Sequence, residues 1–463
     1  MYKFCKIEIM NIFRRTERFS VMLVALWILL FANVSAQETF DLKQCINTGL
    51  QNNFEIRITK NNQQINNNNA SIGNSGYLPN IGFNAGYSGV IDNAVKQIPK
   101  SGDETNYKNV ISQNLSAGVN LNWTVFDGFN IQTNYDKLKE FQQIGELNTR
   151  LSIENLIANI AIEYYNFIQQ NIKLKNIEAT VLLSKERVRI ASERYSIGAG
   201  SRFDYQQAKV DFNNDSSKLI GQYETLYASE IYIKQLMALN YESTDVSRHV
   251  STFITDTIID YEIFLDKNEL LNKAISSNTM LLIYDREKNI SLLDLKSAQS
   301  KNYPYLKLNA GYGYNQNIYG ITSTLQQQNN LGFNYGITLG YNIFDGFNRS
   351  RIKENTKIEI DNKDLKKQEL ELSIKSLFAN TWIKYQNNLK LSNLESENLK
   401  TAKDNYEIAM ERYKLGELSG IELREAQKSL LDAEQRLVQA RFNTKLCEIS
   451  LMQICGGLDK YLK

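Results

Sequence analysis

Histidine is nearly absent: His249 is the only one among 463 residues. One imidazole cannot build a His-rich metal site, and it leaves almost nothing for Ser-His-Asp or Cys-His chemistry. Proline occurs three times and cysteine four times, too few for a proline-rich linker protein or a disulfide-dense scaffold. A basic surplus is missing too. Lys plus Arg number 53 against 51 Asp plus Glu, a formal charge of +2, which speaks against a nucleic-acid partner. No phosphate loop, metal-ligand cluster or nucleophile–base arrangement is found. The sequence therefore reads as non-enzymatic and without a cofactor. Tyrosine is common, at 26 residues, within a hydrophobic content of 42%. The length fits two to three domains or one elongated one.

Long apolar runs are equally scarce, and the one present lies near the start. Lys3, Lys6, Arg14, Arg15 and Arg18 precede an apolar stretch from Val21 to Val34, and Val34-Ser35-Ala36 offers small residues for cleavage. This predicts a secretory signal peptide, residues 1–36. As an uncleaved anchor the run falls short of the ~20 residues a membrane span needs. Met10 is an alternative start. Beyond Ala36 the chain holds 48 basic and 49 acidic residues, a formal charge of −1. No later run is long enough for a transmembrane helix. Periplasmic, extracellular and outer-membrane-barrel destinations stay open on this evidence.

The chain is a tandem repeat. Asn84-Ala85-Gly86-Tyr87 returns 225 residues later as Asn309-Ala310-Gly311-Tyr312. Phe126-Asp127-Gly128-Phe129-Asn130 returns 218 residues later as Phe344-Asp345-Gly346-Phe347-Asn348, and Glu193-Arg194-Tyr195 returns at the same offset as Glu411-Arg412-Tyr413. Three ordered matches at nearly one offset indicate duplication, with a period far too long for a solenoid. The change of offset predicts a loop seven residues longer in the first copy. The copies are assigned to 37–240 and 264–457, with a joining segment at 241–263 and a tail at 458–463.

Each copy follows one order. A helical stretch comes first, about 42–76 and 266–300, and Pro79 or Pro304 punctuates it. Two strands follow, expected at about 80–90 and 115–126, then at about 305–315 and 331–344. They alternate strictly: in the fourth, Leu331, Phe333, Tyr335, Ile337, Leu339, Tyr341 and Ile343 stand against Gly332, Asn334, Gly336, Thr338, Gly340 and Asn342. Period two gives one apolar face and one small polar face. Such strands match a transmembrane barrel wall, with a soluble β-sandwich as the other reading of the strands alone. A Phe-Asp-Gly-Phe turn leads into proline-free helical stretches, about 130–196 and 348–414, with apolar residues every three or four positions. Returning helices are expected at 202–240 and 420–455. Four strands cannot close a barrel, and lipid does not tolerate an open sheet edge. At least two chains must therefore share one. The fold class is mainly α with a transmembrane β-barrel portion, on a duplicated helix–strand–strand–helix–helix plan.

Several residues carry local meaning. Gly198 and Gly416 fit the left-handed position after a helix C-terminus. Ser201-x-x-Asp204 and Ser419-x-x-Glu422 are capping-box patterns opening the returning helices. Glu425 lies on the same face as Glu422, three residues on. Its first-copy counterpart is Gln207, so capping does not require it. Asp127-Gly128 and Asp345-Gly346 supply the positive φ of a strand-to-helix turn, with the neighbouring Phe residues at the membrane interface. The three cysteines beyond Ala36 read as two buried thiols and one spare, or, in an oxidising compartment, as a disulfide from Cys45 to Cys447 or Cys455. Cys447 and Cys455 lie two helical turns apart, ~12 Å, too far to bond each other on a straight helix. His249 falls in the joining segment and is read as incidental.

With these features in order and twice over, the whole chain beyond Ala36 resembles the TolC family of outer-membrane efflux proteins. The carriers are the duplicated plan, the Tyr-Leu-Pro and Tyr-Pro-Tyr-Leu entries to the strands at 77–79 and 303–306, the Phe-Asp-Gly turns, and hairpin tips running Arg194–Asp204 and Arg412–Glu422. The resemblance implies a homotrimer sharing a 12-stranded barrel in outer-membrane lipid, with an α-helical tunnel crossing the periplasm. It implies tips, carrying Arg194, Gly198, Ser201, Arg412, Gly416 and Ser419, that dock on a periplasmic adaptor (membrane fusion protein) and an inner-membrane pump of the RND or ABC kind. Glu422 and Glu425 fall at the family's acidic aperture positions, six carboxylates around a three-fold axis. Crowded like charges raise each other's pKa and attract cations. Asp204 and Tyr413 fall at gate positions. Leu418 stands where some members carry a locking arginine, so the closed state is expected to be held more weakly or differently. The implied role is a passive exit duct, for small-molecule or drug efflux, with type I protein secretion as the alternative. A periplasmic coiled-coil scaffold without a pore is the reading from a different class.

Overall fold

The computed structural model describes residues 39–97, 104–240, 253–254, 256–320, 323 and 325–462. The expected signal peptide, His249 and much of the joining segment lie outside them. In chain order the elements are α1 (Leu42–Asn52), α2 (Phe54–Asn69), α3 (Ile72–Ser75), β1 (Asn80–Gln97), β2 (Glu104–Phe126), α4 (Asn130–Ser196), α5 (Arg202–Leu236), α6 (Lys267–Ser276), α7 (Thr279–Ser300), β3 (Tyr305–Ile318), β4 (Gln327–Gly340), α8 (Asn348–Leu415), α9 (Gly420–Ile454) and a closing 3-10 turn (Leu458–Tyr461). The molecule is mainly helical, with one small sheet. Helix α4 has 67 residues and α8 has 68, about 100 Å each at 1.5 Å per residue.

The apolar stripes of these long helices make the core. Tyr164, Phe167, Phe378 and Tyr385 are fully buried beside Ile46, Ile160, Ile233 and Ile449. Phe253 and Ile254 of the joining segment and Leu458 of the closing turn pack into the same cluster. A smaller core of Tyr406, Ala409, Tyr413, Leu423 and Ala426 lies at the far end.

The first helical stretch of each copy is interrupted, and an asparagine makes each break. Asn53 Oδ1 accepts from the backbone N–H of Glu55 and Ile56, at 2.9 and 3.3 Å. Asn278 Oδ1 accepts from Met280 and Leu281, at 3.1 and 3.3 Å. Both thus satisfy donors that a helix start leaves unpaired. Their amides donate to the carbonyls of Leu236 and Ile454, at 2.9 and 3.0 Å, the last residues of α5 and α9. One side chain therefore starts one helix and holds the end of another, in both copies.

The four strands form an antiparallel sheet in sequence order. Register places Phe83, Val119, Tyr312 and Phe333 in one row, and Ile81, Leu121, Ala310 and Tyr335 in another, on the apolar face. Rows of Asn84, Gly118, Gly313 and Gly332, and of Gly82, Asn120, Gly311 and Asn334, lie on the opposite face. There Asn114 donates to Asn315 and Asn317, at 2.7 and 2.6 Å. The apolar face has no cover within the chain: Phe83 is 70% exposed and Tyr335 79%.

Two expectations need correction. The seven extra residues of the first copy do not form a loop. They lengthen β1 and β2, which pair out to Gln97–Glu104 with a bulge between Asp92 and Ala94. β2 meets β3 only as far as Gln113–Ile318, so the first hairpin stands out beyond the sheet. Its outer part carries Asp92, Lys96, Thr105 and Asn106, which hide a strand from an alternation test. The fourth strand ends at Gly340 rather than near 344, although alternation continues to Ile343. Gly340 pairs with Tyr305, the first residue of β3. Before Tyr305 stands Pro304, which has no N–H to extend the ladder.

The strand-to-helix turns also differ from expectation. Positive φ is not confined to Gly128 (72°) and Gly346 (68°); Phe129 and Phe347 share it, at 70° and 63°. The Asp side chains then reach over the turn. Asp127 Oδ1 accepts from the Ile131 N–H, and Asp345 Oδ2 from the Arg349 N–H, each at 3.0 Å. Gly128 is required twice over, because a Cβ there would lie 2.3 Å from the Ser300 carbonyl oxygen.

Candidate functional site: the helical hairpin tips

The site residues separate into two groups at opposite ends of the long helices. Asp127, Gly128, Asp345 and Gly346 build the turns beside the sheet. The others gather at the hairpin tips between α4 and α5 and between α8 and α9.

The two tips are built alike. Gly198 and Gly416 adopt φ of 76° and 86°. The Ala199 N–H donates to the Arg194 carbonyl (2.8 Å) and the Glu417 N–H to the Arg412 carbonyl (3.0 Å); Gly198 and Gly416 donate to Tyr195 and Tyr413, each at 3.1 Å. This paired ending satisfies carbonyls that the helix leaves free. Ser201 Oγ then accepts from the Asp204 N–H at 3.0 Å, and Ser419 Oγ from the Glu422 N–H at 3.3 Å. Reciprocal capping is complete only in the second tip, where the Ser419 N–H donates to Glu422 Oε2 at 2.9 Å. In the first, the shorter Asp204 carboxylate takes the Ser201 hydroxyl at 2.7 Å.

Glu422 and Glu425 are both exposed. Hydrogen bonds from the Ser419 hydroxyl and backbone N–H hold the Glu422 carboxyl below its ordinary range. Within one chain this runs opposite to the upward shift expected of a crowded ring. Arg412 and Asp204 are exposed as well.

Tyr413 is buried, and Arg194 covers it. The guanidinium lies 4.6 Å from the ring centroid. It donates to the Tyr413 carbonyl and, at 3.4 Å, to that of Lys414. Arg194, expected as a docking residue, thus also ties the first tip to the second. Asp204, Gln207, Arg187, Tyr413 and Gly420 line a small cleft between the tips. Burial raises the Tyr413 phenol, with the Arg194 charge acting against it.

Behind the tips lies a polar network that sequence reasoning missed. Arg424 grips Asp215 through two bonds of 2.6 and 2.7 Å. The Ser184 hydroxyl donates to Asp215 at 2.5 Å. Gln427 donates to Ser184 Oγ at 3.1 Å and to the Thr180 carbonyl at 3.2 Å. The network joins α4, α5 and α9. Burial alone would raise the Asp215 carboxyl; the bonds from Arg424 and Ser184 outweigh it and hold it low.

Cys45, Cys447 and Cys455 are buried free thiols, so the disulfide does not form here. Burial pushes the Cys45 and Cys455 thiols up to about 12. Among the described residues, no group of His, Cys, Asp and Glu is arranged to hold a metal. No described helix is long and apolar enough to cross a membrane.

The family model described as outer membrane efflux protein matches residues 45–238 and 272–457, one match in each copy. The outer membrane protein TolC of Vibrio cholerae serotype O1 is 20% identical over 393 residues, covering 83% of this chain and 84% of that protein. TolC of Escherichia coli K12 is 21% identical over 405 residues, covering 83% and 75%. Among solved structures, the CmeC outer membrane channel of Campylobacter jejuni superposes with a TM-score of 0.72 at 17% identity, covering 90% of this chain and 85% of that one. With both copies matched, the chain belongs to the outer membrane efflux protein family and takes its place in the outer membrane, with its helices extending into the periplasm.

Proposed function

We propose that the chain is a passive exit duct, assembled as a homotrimer, in a tripartite export machine. The sheet carries this reading. β1 and β4 each leave one edge unpaired, and the apolar face is exposed. Lipid accepts the face but not the edges. Three copies set β4 against β1 close twelve strands with no edge left. The helices repeat the logic. α2 packs on α4, α4 on α7 and α7 on α8, a row with apolar stripes uncovered at both ends. Ile58 and Ile65 of α2 lie at one end and Ile358, Leu365 and Leu372 of α8 at the other, all exposed. Their seven-residue spacing suits coiled-coil packing between neighbouring copies.

The tips would meet a periplasmic adaptor and an inner-membrane pump, which supplies the energy. Small-molecule efflux is the favoured use. A photo-crosslinker replacing the exposed Glu417 tests this in cells. Capture of an adaptor with a proton-driven pump supports it. An ATP-driven exporter redirects the reading to type I secretion, and no inner-membrane machinery would sink the docking assignment.

Glu422 and Glu425 would form the acidic ring at the aperture. Replacing both by Gln removes charge, and Gln still completes the cap at 422. Cation selectivity in a planar bilayer should fall; an unchanged reversal potential takes both residues off the site. Arg194 would supply the tie that Leu418 cannot. Arg194→Ala should raise the resting conductance several-fold, and a resting conductance equal to wild type assigns the lock elsewhere.

A further inference from the structure

The four-stranded part of the sheet is almost free of charge. Across Asn80–Gly89, Gln113–Phe126, Tyr305–Ile318 and Gln327–Gly340 there is one charged residue, Lys307. Register sets it between Thr124 and Thr338, on the polar face with Asn309, Gly311 and Gly313. The lipid-facing role of an interfacial lysine is therefore closed to it, because the apolar face is the other one.

Lys307 lies at the base of the sheet, two residues into β3. There it lines a cavity with Lys301, Arg349, Asp127 and Asp345. The two carboxylates are already engaged. Asp127 accepts from the Ile131 N–H. Asp345 accepts from the Arg349 N–H and pairs with its guanidinium at 3.2 Å. Lys301 and Lys307 make no ion pair among the described residues. The lining holds one positive charge in excess.

We propose that Lys307, backed by Lys301, forms a basic collar inside the barrel base and selects for anionic groups on departing cargo. The inference rests on the trimeric duct reading. Twelve strands about 4.8 Å apart and tilted about 40° put the backbone about 12 Å from the axis. A lysine's four-carbon stem spans about half of that. The ammonium groups then lie within a Debye length of the axis, about 8 Å at physiological salt. Glycines at 82, 118, 311, 313 and 332 keep the same wall low, so the collar projects from a smooth, uncharged surface. Low-dielectric walls focus such a field. Its sign is opposite to that of the aperture carboxylates.

Two measurements on the full-length protein test the collar. In planar bilayers, Lys307→Gln and then Lys307→Glu should shift the reversal potential stepwise toward cation selectivity. Block by tripolyphosphate added on the barrel side should need about tenfold more in Lys307→Gln. Conducting channels with unmoved potential and block overturn the collar. Wild-type protein that never conducts and never runs as a trimer overturns the duct reading, and the collar with it. The second measurement needs no current. Thr338→Cys, in detergent, is reacted with anionic and cationic methanethiosulfonates. Their rate ratio should favour the anion at least about threefold with Lys307 present, and lose that preference in Lys307→Gln. A ratio independent of Lys307 overturns the collar even where the tips hold the duct shut.

Discussion

Asp215→Ala should destabilise the tip half of the helices by about 3 kcal/mol or more, the cost typical of breaking a buried ion pair. Asp215 is 1% exposed and Arg424 reaches it with both terminal nitrogens. Alanine would leave that guanidinium and the Ser184 hydroxyl, on which the Gln427 amide in turn rests, without their shared acceptor. The loss should appear as faster amide exchange around 180–187 and 424–430, together with a lower melting temperature. An exposed pair gives the contrast. Lys273 and Glu269 meet at 2.7 Å with both side chains more than half exposed, and breaking them should leave the melting temperature nearly unchanged. Replacing Asp215 and Arg424 together by Leu and Met should recover much of the deficit, since no charge is then left buried and unpaired. Equal melting of Asp215→Ala and wild type would show that the network carries no stability.

The second large effect lies at mid-length. Glu448 is fully buried. It accepts from Lys445 at 3.2 Å through both oxygens, from Lys460, from the Tyr461 hydroxyl at 3.3 Å and from the Glu262 N–H at 3.1 Å. Lys445 is itself buried, so Glu448→Ala strands a cation in the core. The expected cost is about 3–5 kcal/mol, with release of the closing turn from the joining segment. Burial alone would raise the Glu448 carboxyl; the charges of Lys445 and Lys460 and the hydrogen bonds outweigh it and set it low. A carboxylate lowered by folding contributes fully above its unfolded value, about 4.3. That contribution drains as pH falls toward and through the folded value. Wild-type melting should therefore drop steeply below about pH 4, and Glu448→Gln should show a shallower acid limb. Parallel acid limbs in melts from pH 7 to pH 3 would assign the acid loss to other carboxylates.

What the sequence made legible is backbone geometry. Gly198 and Gly416, like Gly128 and Gly346, occupy positions of positive φ where other residues are strained. Both copies retain them at matching offsets, so the tips and turns stand out. The sheet was legible where one face is apolar, and illegible where β1 and β2 continue on polar residues. The stabilising polar contacts were invisible for another reason. Asp215 and Arg424 are 209 residues apart, and along a helix each looks like any solvated charge. Asn53 and Asn278 blend into an asparagine-rich sequence. Nothing local distinguishes a capping asparagine from its neighbours until the carbonyls of Leu236 and Ile454 are seen beside it.

Those two asparagines also set a fulcrum. α5 and α9 have 35 residues each, lever arms of about 50 Å, each pinned at one end by an amide hydrogen bond to its final carbonyl. A tilt of only about 6° about that pivot carries the far end of such an arm through about 5 Å. Motion can therefore be large where the carboxylates of Glu422 and Glu425 stand and vanishingly small at the mid-length pivot, so a mechanical load applied at the tips is taken up along these two arms.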